Sequence, residues 1–461
     1  MEVEIISKEI IIPSSPTPCH LRTFNLCLLD QLIPAPYAPL VLFYPNYDGI
    51  IMTHLEISEK LQVLKQSLSR TLSKFYPLAG VIKDDLSIEC NDKGAYCATT
   101  KVNNLHLSDF LDEPNLDLIT QFLPCDPSFQ GSMAGKRVTN IQINLFECGG
   151  IAIGLCISHK VLDGSGLKTF LKSWAGNGMA TTKRKTEEII ICPNLIAASS
   201  LFPANDLWLR DSSIGMWIST FKKGKSITRR FVFDSSSITR LRTMAKNGSK
   251  SDFRSPTRVE SISAFLWKSV KSACESVHGS RRSSMLTHIV NLRKRAIPAL
   301  SEHSVGNLIW ISSAKCPANL EKGLPELVDQ VRSSISKIDG DYIKKLCGNK
   351  GSSLMRKSLK EIGEFGSKEE GDYIGFSSWC GFGFYDIDFG WGKPIWVSSY
   401  AVNAPVFMNL VLLLETRNGD GIEAWVTLDE QEMEILKHNQ EFLAFASLDP
   451  SPLKLGNVAV I

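Results

Sequence analysis

Apolar and polar residues alternate with a period of two in one part of the chain. From 140 to 145, asparagine and glutamine alternate with isoleucine and leucine, which is typical of a half-buried β-strand. The Cys-Gly-Gly segment at 148–150 predicts a turn, and residues 151–158 predict the return strand. Every second residue of that return strand is small: Ala152, Gly154, Cys156 and Ser158. Such a face leaves space for a ligand or another stretch of backbone, or it packs closely against a helix.

Other segments repeat apolar residues at helical spacing. One predicted helix has Ser58 as its cap, ends before Pro77 and carries Leu61, Leu64, Leu68, Leu72 and Phe75. Thr257 and Glu260 have the spacing of a capping box, and Pro325 is expected to start a third helix. A further amphipathic helix follows residue 166 and carries Leu167, Phe170, Leu171 and Trp174. Helices therefore occur in both halves of the chain.

The order of the predicted elements indicates an α/β (mixed α+β) fold. Strands are also expected at 40–44, 230–233, 406–415 and 422–427, and the last two flank the hairpin signal Asn-Gly-Asp-Gly at 418–421. A chain of 461 residues is too long for one core. Because 176–188 is polar and 201–213 reads as irregular, we expect two domains, at 1–200 and 226–461, joined by a crossover loop at 201–225.

Composition excludes several classes of protein. The 51 basic and 48 acidic residues give a net charge of +3 and form no blocks, so we expect no nucleic-acid partner. The acidic start Met-Glu-Val-Glu is unlike a signal peptide, and the longest apolar runs are of strand length. The twelve cysteines contain no Cys-x-x-Cys pair. We therefore expect a cytoplasmic protein with reduced cysteines, no membrane partner and no metal. We also expect a monomer.

One histidine is the best candidate for chemistry. Among eight histidines, only His159 has an aspartate four residues later, Asp163, and it follows the predicted strand 151–158. A phosphate loop, a nucleophile elbow, a His-Glu-x-x-His motif and a complete dinucleotide fingerprint are absent from the sequence. The residues alone leave open the alternative that His159 is a core histidine whose hydrogen bonds are satisfied and which has no chemical role.

The sequence resembles a known family at two separated motifs. His-Lys-Val-Leu-Asp-Gly at 159–164 and Asp-Phe-Gly-Trp-Gly at 388–392 are similar to the two signatures of the plant BAHD acyltransferases, which transfer acyl groups from acyl-CoA to alcohols or amines. Further matches occur at 29–31, 75–80, 90–92, 146–150, 291–295 and 305–307, so the resemblance covers essentially the whole chain. It is greatest to the branch with vinorine synthase and deacetylvindoline acetyltransferase, whose members mostly acetylate alkaloid or terpenoid alcohols.

The resemblance implies a particular architecture. We expect two chloramphenicol-acetyltransferase-like domains, each a mixed sheet flanked by helices, with a solvent channel between them and His159 in its middle. A segment near 370–395 is expected to join the sheet of the first domain. The small face of the strand 151–158 would then border the channel.

The resemblance also implies roles for the motif residues. His159 would act as the general base that accepts the proton of the acceptor hydroxyl, for which the usual histidine pKa of ~6.5 is suitable. Asp163 would pair with Arg293 and, with Gly164, organise the loop rather than relay a proton. Asp388 is a further catalytic candidate, although the corner of Gly390, Trp391 and Gly392 favours an architectural role.

Contacts with the acyl donor are expected at two places. Ser377, Ser378 and Trp379 would bind the acyl-CoA and stabilise the oxyanion. The capped helix start at Ser255 and Thr257 would bind CoA phosphates through free N–H groups. No bound cofactor is expected, and acyl-CoA, with acetyl-CoA preferred, is a co-substrate for a small-molecule alcohol. An amine acceptor, an aroyl or other donor, and an inactive member that acts as a binding or regulatory protein stay open as alternatives.

Overall fold

The structure is a computed structural model that describes residues 1–34, 37–46, 53–127, 133–181, 191–204, 207–247, 254–319, 322–367, 371–402 and 404–455. The strands are β1 (Glu2–Ile11), β2 (Thr23–Asn25), β3 (Tyr37–Tyr44), β4 (Val81–Ile82), β5 (Ser87–Glu89), β6 (Ala95–Asn103), β7 (Thr139–Phe146), β8 (Ile151–Ser158), β9 (Lys222–Lys223), β10 (Ser226–Phe233), β11 (Ser283–Asn291), β12 (Ile309–Cys316), β13 (Gly371–Ser378), β14 (Trp396–Ser398), β15 (Val406–Phe407), β16 (Leu410–Glu415), β17 (Ile422–Asp429) and β18 (Ser447–Leu448).

The α-helices are α1 (Leu28–Gln31), α2 (His54–Lys74), α3 (Leu107–Asp112), α4 (Gly164–Thr181), α5 (Ala197–Leu201), α6 (Leu207–Thr220), α7 (Ser235–Asn247), α8 (Arg258–His278), α9 (Leu324–Ser336), α10 (Gly340–Cys347), α11 (Gly351–Gly366), α12 (Glu430–His438) and α13 (Gln440–Leu443). Short 3₁₀ helices lie at Cys19–Leu21, Tyr76–Ala79, Leu116–Phe122 and Phe384–Asp386. In the part of the chain that the structure describes, no helix is long and apolar enough to cross a membrane.

The first large sheet has six strands in the order β1-β6-β7-β8-β3-β14. The predicted alternating strand and its return strand are β7 and β8, an antiparallel pair joined by a turn in which Gly149 has a φ of 83°. Helices α2 and α4 pack against each other beside this sheet, and Trp174 of α4 is fully buried there. The strand β8 therefore brings its last residue, Ser158, and the following His159 to the end of a rigid sheet.

The second large sheet has seven strands in the order β12-β11-β13-β16-β17-β10-β18. Alternate residues of β11 enter two different hydrophobic clusters because side chains alternate across a strand. Leu286 lies in the cluster that contains Leu266 of α8, whereas Met285 lies in the cluster that contains Leu359 of α11. Helices therefore cover both faces, and the mixed α/β class is confirmed.

Two local predictions were wrong. Helix α2 begins at His54 rather than after Ser58, because Thr53 and Glu56 form a capping box in which each caps the other. The stretch 201–213 is mostly helical, with α5 ending at Leu201 and α6 beginning at Leu207. The buried positions of α6 recur at helical spacing but include two polar residues, so the apolar periodicity is weak: Leu209, Ser213, Met216 and Thr220.

The segment that crosses into the first sheet is β14, and not a strand within 370–395. The strand β13 (Gly371–Ser378) belongs to the second sheet, whereas Trp396–Ser398 pairs with β3. A strand of three residues is too short to show an alternating pattern. The division of the chain at residues 200 and 225 stays a prediction.

Trp396 is connected to the second sheet by a buried polar cluster. Its indole Nε1 donates to Glu423 Oε2 at 3.2 Å. Arg230 Nη1 lies 3.0 Å from the same oxygen, and the guanidinium stands 5.1 Å from the Trp396 ring centroid. Arg230 and Glu423 are 0% and 1% exposed. The edge strand of the first sheet is thus bonded to strands β10 and β17 of the second.

The small face of β8 does not border the channel. A side chain at Gly154 would collide with the carbonyl oxygen of Phe122, and the Asn144 Nδ2 donates to that oxygen at 3.0 Å. The space therefore admits another stretch of backbone, the 3₁₀ helix Leu116–Phe122, which is one of the alternatives left open by the sequence. The four small residues of this face are absent from the walls of the cavity described next.

Candidate active site

A cavity of about 1600 Å³ lies between the two large sheets. His159 and Gly164 contribute to its wall from the first half of the chain, and Ile289, Ser377 and Trp379 contribute from the second. This volume exceeds the roughly 300–1,000 Å³ that is usual for a pocket that binds one small molecule. The cavity can therefore hold two substrates that meet near His159.

The imidazole of His159 is held by Asn307. His159 Nδ1 lies 3.0 Å from Asn307 Oδ1. The Asn307 Nδ2 donates to the backbone oxygen of His159 at 2.7 Å and to Asp30 Oδ1 at 2.9 Å. Because both acceptors require the amide nitrogen, Asn307 must present its oxygen to the ring. Nδ1 is then the protonated nitrogen, and Nε2 carries the free lone pair that a general base needs.

Asp30 supports this arrangement from the opposite side of Asn307. Its carboxylate accepts hydrogen bonds from the Asn307 backbone N–H at 2.7 Å and from the Cys27 N–H at 2.9 Å. Asp30 is 1% exposed and Asn307 is completely buried, and burial raises the pKa of Asp30. The chain of contacts from Asp30 through Asn307 to His159 was not predicted, although 29–31 and 305–307 were among the matching segments.

Asp163 is bonded to Arg293, and no bond among the described residues joins it to His159. Arg293 Nη1 donates to Asp163 Oδ2 at 2.7 Å, and Nη2 donates to Oδ1 at 3.0 Å. Asp163 Oδ1 also accepts the N–H of Gly166 at 2.9 Å. Arg293 and Asp163 are only 1% and 3% exposed. The structure brings these two predicted residues together, and their bonds fix the loop between β8 and α4 (Gly164–Thr181).

Gly164 connects that loop to the segment after β13. The ring of Phe382 lies against the Gly164 Cα so closely that a side chain at Gly164 would overlap it. Phe382 follows Trp379, whose indole ring packs edge-on against Phe384 with 5.6 Å between centroids. The His159 loop and the Ser377–Trp379 region are therefore held against each other.

Ser377, Ser378 and Trp379 lie on the wall of the same cavity as His159. The Ser377 hydroxyl makes no hydrogen bond with a described residue, whereas Ser378 Oγ accepts a long bond of 3.4 Å from the Cys380 N–H. The backbone N–H of Trp379 donates to the carbonyl of Leu413 at 2.7 Å. Burial raises the pKa of the neighbouring Cys380 thiol to about 11. The Ser377 hydroxyl can therefore donate to a ligand without giving up a bond to a described residue.

Ser255 and Thr257 are not brought to His159. Neither belongs to the walls of the cavity as the described residues define it. Thr257 is the N-cap of α8 (Arg258–His278): its N–H donates to Glu260 Oε2 at 2.8 Å, and its Oγ1 accepts the Glu260 N–H at 3.1 Å. The carboxylate of Glu260 therefore already occupies the position that a phosphate would take at this helix start. The assignment of these residues to CoA stays a prediction.

Asp388 lies outside the walls of the cavity and organises a tight corner. Its Oδ1 accepts the N–H groups of Gly390 at 2.7 Å and of Gly392 at 2.9 Å. These glycines have φ values of 111° and 114°, which other residues rarely adopt. The neighbouring Phe389 packs edge-on against Trp174 of α4, with 4.9 Å between centroids. The motif 388–392 thus attaches the chain to the first half just before β14.

Trp391 covers the outer side of this corner. Its ring is 5.7 Å from that of Phe389, and the Lys60 ammonium of α2 lies 5.6 Å from the Trp391 ring centroid. Trp391, like Asp388, Gly390 and Gly392, is absent from the cavity walls. The contacts that these four residues make with described residues connect parts of the chain, and the catalytic role of Asp388 stays a prediction.

A pair of lysines and a glutamate stand at the rim of the cavity. Glu302 Oε2 lies 3.2 Å from Lys168 Nζ, and Glu302 Oε1 lies 2.9 Å from Lys294 Nζ. The bonds from Lys294 and then Lys168 lower the pKa of the Glu302 carboxyl to about 2. This rim is therefore net positive by one charge and ionised at neutral pH.

Known proteins are similar to this chain over nearly its whole length. A family model described as the transferase family matches residues 1–443. Limonoid 7-O-acetyltransferase of Citrus sinensis is 43% identical over 98% of this chain and 100% of its own length. Vinorine synthase of Rauvolfia serpentina is 34% identical over 94% of this chain and 96% of its own length. A crystal structure of vinorine synthase superposes with a TM-score of 0.79 at 32% identity and covers 97% of this chain and 99% of that chain.

Proposed function

The chain belongs to the BAHD transferase family and is an acyltransferase, and on that premise we propose that it transfers an acetyl group from acetyl-CoA to a hydroxyl of a terpenoid or alkaloid alcohol. Relatives of this chain are named as O-acetyltransferases that act on limonoids and on stemmadenine. The observation that supports the proposal most is the His159 imidazole, whose Nδ1 is bonded to Asn307 at 3.0 Å on the wall of a cavity that can hold two substrates.

The proposed reaction needs no covalent acyl-enzyme. His159 Nε2 accepts the proton of the acceptor hydroxyl while the oxygen attacks the thioester carbonyl. The tetrahedral intermediate then collapses, the carbon–sulfur bond breaks, and the sulfur receives that proton from His159. Because a thiol has a pKa of about 8.5, the thiolate is a good leaving group. The products are an acetate ester and CoA thiol, and His159 returns to its starting state.

Ser377 is proposed to stabilise the oxyanion of the intermediate. Its hydroxyl faces no competing partner among the described residues and lies on the same cavity wall as His159. A donor placed where negative charge develops lowers the barrier more than one that contacts the ground state. Ser378 and Trp379 are proposed to position the acyl donor beside it.

The other motif residues are proposed to hold the site in shape. Asp163 and Arg293 fix the loop that carries His159, and Asp388 fixes the corner at Gly390 and Gly392 that leads to β14. We propose, from composition, that the protein works in the cytoplasm, and we further propose that it is a monomer. The preference for acetyl-CoA over other acyl donors rests on the names of the relatives.

The test measures release of CoA thiol while acyl-CoAs are crossed with terpenoid, alkaloid and phenolic alcohols and with amines. We expect acetyl-CoA and an alcohol to give an O-acetyl ester, and His159→Ala to lower kcat by about 10²–10⁴-fold because it removes the general base. His303→Ala, which changes an exposed histidine outside the cavity walls, is the matched control. Retained activity in a folded His159→Ala variant would refute the mechanism. Turnover with amines or aroyl donors alone would favour those alternatives, and binding without turnover would favour an inactive member.

A further inference from the structure

Lys160, the residue that follows His159, is a buried cation on the wall of the cavity. Its side chain is only 4% exposed, yet it lines the same cavity as His159. Lysine is almost never buried without a partner, since an ammonium loses its hydration on burial. The general-base mechanism described above gives this residue no task.

The charged groups near Lys160 are already engaged. Asp85 forms an ion pair with Arg210, and Asp30 accepts hydrogen bonds from Asn307 and Cys27. The Lys160 ammonium itself forms no hydrogen bond or ion pair with any described residue. Burial lowers the Lys160 pKa, and Asp85 opposes that shift. A cation in this position gains free energy from any ligand oxygen that enters the cavity within hydrogen-bond distance.

The charges around Lys160 favour a neutral oxygen over a phosphate. Lys160 and Arg210 share this end of the cavity with Asp84 and Asp85, and the buried Asp30 also lies near Lys160, so positive charge is not in excess here. A diphosphate would meet two carboxylates as well as two cations, whereas a carbonyl oxygen needs only the one donor. The rim formed by Lys168, Lys294 and Glu302 carries the net positive charge instead.

The surrounding wall is suited to an apolar ring system. Helix α6 (Leu207–Thr220) presents Ile214 and Ile218 to the cavity, and these side chains are 45% and 68% exposed. Phe221 and Val406 extend this apolar wall and are 40% and 49% exposed. Large apolar side chains that stay this exposed at a cavity lose contact with water when an apolar ligand covers them. A polycyclic ligand would therefore lie against α6 with its oxygen at Lys160.

We propose that Lys160 is a specificity residue that donates a hydrogen bond to a second oxygen, a ketone or ester carbonyl, of a polycyclic alcohol whose reacting hydroxyl faces His159. This inference rests on the proposed function, because it assigns a place to the acceptor of that reaction. Since the Cα atoms of neighbouring residues are about 3.8 Å apart, one acceptor can contact both side chains. The carbonyl would select the acceptor and fix which hydroxyl reaches the base.

The test compares binding of two polycyclic terpenoid alcohols that differ only in a ring ketone replaced by a methylene group. Titration calorimetry is done without an acyl donor, so that binding is measured independently of turnover. The wild-type protein should bind the ketone at least about 10-fold more tightly, as expected for a hydrogen bond from a charged donor. Lys160→Met should bind both alcohols equally, and Lys160→Arg should keep part of the preference. Lys168→Met, which removes a cavity lysine that is paired with Glu302, should keep the wild-type preference for the ketone.

Several outcomes would overturn the inference. It fails if the wild-type protein binds ketone and methylene alcohols equally or binds neither. It also fails if Lys160→Met keeps the preference but loses affinity for acetyl-CoA, because Lys160 would then serve the donor. Release of CoA thiol is measured in parallel with the same alcohols. A preference for the ketone that depends on Lys160, without any release of CoA thiol, would refute the proposed transfer reaction and leave the binding role of Lys160 standing.

Discussion

Replacing Asp163 with asparagine tests whether this residue stabilises the loop or takes part in the chemistry. The substitution keeps the shape of the side chain but removes the charge that faces Arg293, which is 1% exposed. Arg293 would keep its bonds to the carbonyls of Ser304 and Gly306 and to Asn291 Oδ1. Removing one partner of a buried ion pair costs about 3–5 kcal/mol of unfolding free energy. Because these neutral acceptors remain, we expect the lower end, about 3 kcal/mol.

The measurement is the melting temperature followed by circular dichroism, together with kcat/KM as a function of pH. For a domain of about 200 residues, a loss of about 3 kcal/mol lowers the melting temperature by roughly 6–12 °C. Asp386→Asn is the matched control: Asp386 pairs with Lys393 at 2.9 Å, but both side chains are more than half exposed. Its removal should change stability by less than about 1 kcal/mol.

A double variant separates the pair from its surroundings. Asp163→Asn combined with Arg293→Gln should cost less than the sum of the two single changes, with a coupling of about 2–3 kcal/mol. The reasoning is refuted if Asp163→Asn keeps the wild-type melting temperature and nevertheless loses activity or shifts the pH profile. Asp163 would then act on the charge of His159 and not on the stability of the loop.

Two further predictions concern groups next to the cavity. Asn307→Ala removes the acceptor that holds the histidine Nδ1. Because the base is then misplaced but still present, kcat should fall by about 10–100-fold, which is part of the roughly 10²–10⁴-fold that a general base contributes. The acid limb of the pH profile should move while KM for acetyl-CoA stays constant, and a change in melting temperature without these kinetic effects would argue against the positioning role. Glu302→Gln concerns stability at low pH, since the bonds from Lys294 and Lys168 hold the folded pKa of Glu302 at about 2, below its unfolded value. The stability that this carboxylate contributes is present above the unfolded pKa and is lost as the pH falls through the folded pKa. The variant should therefore lose less stability than wild type between about pH 4.5 and 2. Because Glu302 is half exposed, the difference in unfolding free energy should stay below about 1 kcal/mol.

Local sequence patterns predicted the strands and helices that carry the site, but they did not predict the contacts between residues that are far apart in the chain. The hairpin β7–β8 was predictable because one face of β7 alternates regularly, and α8 was predictable because Thr257 and Glu260 cap each other. Helix α6 was missed because polar Ser213 and Thr220 occupy two of its buried positions. The sequence has no local signal for such a mixed helix face.

The residues that hold His159 in place could not be predicted from local patterns either. His159 and Asn307 are 148 residues apart, and Asn307 and Asp30 are 277 residues apart. The spacing of His159 and Asp163 drew attention to the loop, but the pairing of Asp163 with Arg293 was expected only from the family resemblance. Only the tertiary fold brings the asparagine to the ring. The surroundings of Lys160 likewise come from α1, α6 and the segment after β4, through Asp30, Arg210 and Asp85, which no local pattern connects.

The position of β14 has a consequence for exchanging halves between relatives. A chimera that joins the first half of this chain to the second half of another family member also replaces one strand of the first sheet, because Trp396–Ser398 pairs with β3. The second half taken from the relative would have to fit Phe43, against which Trp396 stacks with 5.3 Å between ring centroids. It would also have to supply its own equivalents of Glu423 and Arg230. Substrate preference is therefore best transferred by grafting α6 and the cavity wall, since an exchange of complete halves rebuilds the core of the half that is retained.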